Sequence, residues 1–173
     1  YEGAFTLLTK AKEVYHQYPR IVYPLNALDT LNNLSSCFIK FDHHHLASRT
    51  MEEARKLIFK EKLTEGTAAT YINTCAVFSS MGKHVKAIEN VQIGIQILEA
   101  EIGQIDSSVE DIEVFKILFV DKVRLLTLAY YSMATEALEM KLTDICHNFL
   151  YKALLCAKNF LVNEVNYDKL ELE

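Results

Sequence analysis

From Thr70 onward, small and apolar residues fall at steps of three and four: Tyr71, Cys75, Phe78 and Met81, then a break at Gly82. The pattern resumes with Ala87, Ile88, Val91, Ile95 and Leu98. Such steps gather side chains on one face of an α-helix. Glycine at the junction suits the left-handed position that ends a helix, so the stretch predicts two helices folded back as a hairpin. The arrangement occurs twice more. Leu31, Leu34, Phe38 and Phe41 precede a turn predicted at Asp42 to His45, and Ala47, Met51, Ala54 and Leu57 follow it. Tyr130, Met133, Ala137 and Met140 precede Thr143-Asp144, and Cys146, Leu150, Ala153 and Leu154 come after. Thr143 is the expected N-cap there, its hydroxyl accepting from an orphan amide of the helix start.

Two antiparallel helices approach closely only where both present small side chains. The facing pairs predicted by this rule are Ser35 with Ala47, Cys75 with Ala87, and Ala134 with Cys146, each pair twelve residues apart. This recurrence makes internal repetition the first fact to explain.

The segment Tyr71-Ile-Asn-Thr-Cys-Ala-Val-Phe78-Ser-Ser-Met-Gly82-Lys-His-Val-Lys-Ala87-Ile resembles the tetratricopeptide repeat family. That family has an aromatic early in helix A, a small residue four later, an aromatic three beyond, Gly at the turn and Ala early in helix B. Tyr71, Cys75, Phe78, Gly82 and Ala87 answer each requirement. The resemblance implies an all-α chain, a TPR-like α-solenoid of antiparallel helix hairpins, with about three repeats after an orphan N-terminal helix. The spacing departs from the usual repeat of about 34 residues: Ala47 and Ala87 are 40 apart, Ala87 and Cys146 are 59 apart. The first interval is similar to the longer repeats of kinesin light chains, whose helix A often carries Leu-Asn-Asn-Leu, as Leu31 to Leu34 do. The second implies an insertion.

The expected layout follows. Residues 1–19 are helix B of a preceding repeat, with Ala4, Leu8 and Ala11 on its packing face and a stop at Pro19. Residues 24–62, 65–103 and 123–163 are the three repeats, 104–122 a helical insertion, and 164–173 a connector, both ends reading as parts of a longer array. The insertion starts with a capping box of Ser107 and Glu110. Beyond it, either the third helix A is extended or a separate helix precedes it; the length favours a break near Asp121.

Composition narrows the function. Five Gly and two Pro in 173 residues leave little punctuation for strands and turns. Hydrophobic residues at 50% and charged ones at 24% describe a globular core rather than disorder. A net charge of −5 without a Lys/Arg cluster argues against nucleic acid. The dense apolar run Ile117 to Val120 is far too short for a membrane span. Cys37, Cys75, Cys146 and Cys156 lack zinc or redox spacing and read as buried free thiols of an intracellular protein. Adjacent residues point in different directions, so His43-His44-His45 reads as a solvated turn, not a metal site. No Gly-rich phosphate loop and no nucleophile paired with a base is visible, so no enzyme activity, cofactor or metal is expected.

In the tetratricopeptide family, partners bind the concave face lined by helix A residues. Transferring that geometry selects Asn32, Ser36, Ile39 and Lys40, then Ile72, Asn73, Ala76 and Ser80, then Tyr131, Thr135, Leu138 and Glu139. Other proteins or peptides, or helices of the same longer chain, are the expected occupants. The carboxylate clamp of co-chaperone members is not reproduced, since Asn73 alone matches it; without cationic donors a carboxylate is poorly held. The apolar set from Ile112 to Val120 is expected to be covered by the chain's own core. The resulting expectation is an interaction scaffold of the cytoplasm or cytoskeleton, with cilia and axonemal microtubules as the suggested setting. A peptide-cargo adaptor of the kinesin-light-chain type and a regulatory domain of a larger enzyme are the alternatives.

Overall fold

A computed structural model of the chain describes the backbone of residues 2–19, 21–104 and 112–170, and the side chains of 2–19, 21–104 and 119–159. Seven helices make up the described residues, with no strand: α1 (Glu2–Gln17), α2 (Pro24–Lys40), α3 (His44–Glu61), α4 (Thr67–Ser80), α5 (His84–Gly103), α6 (Ile112–Glu139) and α7 (Thr143–Leu170). The chain forms two compact units, residues 1–94 and 95–173, with the boundary inside α5.

Within the first unit, α2 packs against α1, α3 and α4, and α3 packs against α4. Pro24 opens α2 at a position where no intrahelical amide bond is lost and the ring presets the helical φ. Leu28, Leu31, Ala47, Met51, Ala54 and Val77 form the core. Burial of a side chain the size of Leu28 or Leu31 stabilises by about 1.5–3 kcal/mol. Gly66 joins α3 to α4 at φ +75°, and its α-carbon lies so close to Leu28 that a Cβ would stand 3.0 Å from Leu28 Cδ2. Within the second unit, α6 and α7 form an antiparallel pair.

The three hairpins turn in the same way. After α2, α4 and α6 one residue takes a left-handed conformation: Asp42 at φ 62°, Gly82 at 67° and Lys141 at 60°. The next residue donates its amide five back, His43 to Phe38 at 2.8 Å, Lys83 to Phe78 at 2.9 Å and Leu142 to Ala137 at 2.8 Å. This satisfies carbonyls that the helix end would leave orphaned. The same residue's carbonyl then accepts the amide four residues on, from Ala47, Ala87 and Cys146 at 3.0, 3.0 and 2.9 Å, the first such bond of the returning helix. The small residue on each returning helix is therefore set by the turn itself. Ser35 Oγ meets the Ala47 carbonyl at 3.4 Å. Ala134, Ala137 and Cys146 share one buried cluster. Cys75 and Ala87 are both buried, and a Cβ on Gly94 of α5 would stand 3.0 Å from Ile72 of α4.

Four expectations need correction. The first turn is shorter than Asp42 to His45, since α3 already begins at His44. Thr143 is the first residue of α7 rather than its cap; the carbonyl of Leu142 before it accepts the Cys146 amide. The chain does not break near Asp121, because α6 runs unbroken from Ile112 to Glu139. Helix α7 continues to Leu170, through residues where a connector was expected. The proposed Ser107–Glu110 capping box, and the side chains of 112–118 in the apolar set, lie outside the described residues.

Candidate functional site

The α2 surface away from the core carries Asp29, Asn33, Ser36 and Lys40, all exposed. Forty residues later, α4 repeats the stripe as Ala69, Asn73, Ala76 and Ser80, the first two half-buried and the others exposed. Both sets follow steps of four, three and four, so each lines one side of its helix. The two helices are in contact, and Asn32 on α2 ties them by donating from Nδ2 to Thr70 Oγ1 at 3.1 Å.

Ser36, Lys40, Asn73, Ala76 and Ser80, selected from the sequence, therefore fall on one repeated stripe, with Ile39 half-buried at its margin. Asn32 and Ile72 do not. They are 6% and 4% exposed and are withdrawn from any open face. Sequence reasoning missed Asn33 and Asp29, the residues that replace Asn32 on the outer side. A shift of one residue turns a side chain by about 100° around a helix, and nothing in helical periodicity separates Asn32 from Asn33. The signal available was the forty-residue register, which pairs Asn33 with Asn73.

The stripe is polar, small and lightly charged. Ser36 Oγ donates to the Asn32 carbonyl at 3.3 Å and Ser80 Oγ to the Val77 carbonyl at 2.8 Å, so both hydroxyls are oriented by their own helix. Partial burial, with Glu65 nearby, pushes the Asp29 carboxyl above its ordinary range. Asn33 and Asn73 each offer an amide that can both donate and accept, the pair of functions a peptide backbone requires.

In the second unit, Tyr131 and Leu138 are 57% and 58% exposed, Glu139 is exposed and Thr135 half-buried. Their neighbour Tyr130 is buried and donates its hydroxyl to Glu99 at 2.5 Å. The Lys152 ammonium lies 5.5 Å from the Tyr130 ring centre and 5.0 Å from that of Phe149. Burial, then Glu99, raises both the Tyr130 phenol and the Cys156 thiol. The thiol is thus held protonated, which suits packing and disfavours nucleophilic chemistry. This cluster ties α5, α6 and α7 together.

The triple histidine borders a cleft of about 510 Å³ with Asp42, Met81 and Lys83. His44 Nε2 pairs with Asp42 Oδ1 at 2.7 Å across the turn. His43 and His45 are exposed. Among the described residues, no group of three or more His, Cys, Asp or Glu side chains is placed to hold a metal ion, and no helix is long and apolar enough to cross a membrane. No family model, curated protein or solved structure matches the chain.

Proposed function

We propose that this chain is a protein-interaction scaffold, built from tetratricopeptide-like hairpins stacked as an α-solenoid, that holds partner segments on the open stripe of its A helices. The carrying observation is the repeated stripe: Asn33 and Asn73 stand at one register position, on two helices in contact, each followed by a small residue, Ser36 or Ala76. Three hairpins with the same turn, bonded at the same register, support the stacked reading. Stacking gives a binding surface assembled from successive repeats rather than a chemical pocket. Small residues beside paired amides admit an extended or helical peptide close to the scaffold, with affinity from backbone hydrogen bonds. The same amide pair favours short linear peptides as partners, in the manner of a cargo adaptor.

Site-specific photo-crosslinking tests the proposal. A photoreactive residue at Asn33 or Asn73, compared with one at exposed Arg49 on α3, is irradiated in native extract. Protein adducts specific to the two stripe positions are expected. Equal labelling from Arg49, or no adduct from either stripe position, overturns the assignment.

A further inference from the structure

Helix α3 packs against α2 and α4, and another side of it faces a cleft of about 840 Å³ that Tyr71 of α4 helps to line. Arg55, Lys56, Phe59 and Lys60 fall at steps of one, three and one, so they share that side. Phe59 is 87% exposed, the most of any large hydrophobic side chain among the described residues. Ile58 and Tyr71, both half-buried, continue the apolar lining.

Around Phe59 the charge is positive. The lining holds three cations, Arg55, Lys56 and Lys60, against one carboxylate, Glu52, in a chain whose net charge is −5. The Arg55 guanidinium is already set over the Tyr71 ring, 5.7 Å from its centre. Lys56 pairs with Glu52 at 3.0 Å and Lys60 with Glu61 at 2.8 Å, but the two lysine side chains are 75% and 70% exposed. Pairs held in water are weak and exchange readily for a better-placed carboxylate. Cations near a helix C-terminus complement its dipole, an effect confined to the last turn. Helix α3 ends at Glu61, so the dipole accounts for Lys60 and not for Arg55 or Lys56.

We infer that this cleft docks an acidic linear peptide of a partner protein. One apolar side chain of the peptide sits against Phe59, Ile58 and Tyr71, and carboxylates flanking it take Arg55, Lys56 and Lys60. The volume falls in the range of sites that enclose a small ligand or a few side chains, and a concave seat of this kind suits a peptide better than a membrane surface. Nucleic acid is disfavoured as well, since Glu52 and Glu61 would face its phosphates and three cations release few counterions. None of these residues belongs to the polar stripe, and the inference stands independently of what that stripe binds.

Phage display of a random short-peptide library on the immobilised full chain, followed by fluorescence anisotropy of the recovered peptides, tests this. Selected peptides should carry Asp or Glu on either side of one Leu, Phe or Trp. They should bind in the micromolar range, and more weakly as salt rises. Phe59→Gln and the double variant Lys56→Glu/Lys60→Glu should each weaken binding about tenfold or more. Peptides remade with Lys in place of their acidic residues should prefer the double variant to the wild type. Recovery of no acidic–apolar consensus overturns the inference. So do recovered peptides that bind either variant as tightly as the wild type, since they are held elsewhere. Phosphatidylserine vesicles and a uridine oligonucleotide are run beside the peptides; if either binds where peptides fail, the face serves a membrane or RNA and the inference falls. The substituted side chains are all exposed; if circular dichroism shows lost helicity in Phe59→Gln, the double variant and its charge-exchanged peptides decide alone.

Discussion

Gly66 and Gly82 are both left-handed, at φ +75° and +67°, yet their surroundings differ. A Cβ at Gly82 meets nothing within 4 Å. A Cβ at Gly66 stands 3.0 Å from Leu28 Cδ2 and 3.3 Å from Leu25 Cδ1, and Leu28 is fully buried. Gly82→Ala therefore carries the backbone penalty alone, about 1–2 kcal/mol. Gly66→Ala adds overpacking of a core leucine, about 1–3 kcal/mol more, for a total of about 2–5 kcal/mol. Equilibrium denaturation in urea, followed by helical circular dichroism, reads both losses. The difference between the variants isolates the packing contribution, because the conformational one is shared. Equal losses, within about 0.5 kcal/mol, would refute the reading that Gly66 lies too close to Leu28 to admit a Cβ without cost.

Other expectations are open to direct measurement. Lys141 sits at φ 60° where Gly82 sits in the second hairpin, so Lys141→Gly should stabilise by about 0.5–1 kcal/mol in the same denaturation assay. Ala134 is buried against α7 with Cys146; Ala134→Leu should lose about 1–3 kcal/mol or more by forcing α6 and α7 apart, seen as a lowered thermal midpoint. The Asp29 carboxyl is raised by burial and by Glu65, so ionised Asp29 opposes folding once the pH exceeds its folded pKa. Asp29→Asn should then gain a few tenths of a kcal/mol at neutral pH, the size usual for an exposed site. That gain should fade as the pH falls toward and below the ordinary value of 3.8; a gain unchanged across this range would contradict the assignment.

The hairpins were legible because their signals are local. Small residues twelve apart, Gly82, and the three- and four-residue steps all act within a stretch that one turn closes. The left-handed roles of Asp42 and Lys141 were not legible, since neither residue type announces that conformation as glycine does. Pro24 opens α2 without any expectation having singled it out. Asp121 failed as a break because nothing in its vicinity, neither Gly nor Pro, terminates a helix.

The polar stripe was half legible, and the reason is geometric. Periodicity places residues around a helix, but which side meets water depends on what packs beside it. Asn32 is buried because α4 brings Thr70 to it, a contact across 38 residues of chain. Tyr131, at the same register position, is open. The amino-acid order alone determined that the chain is helical and where hairpins turn, since each rests on short-range geometry. Only the tertiary arrangement decided which faces are covered, because burial of a given side chain depends on the helix that happens to lie against it.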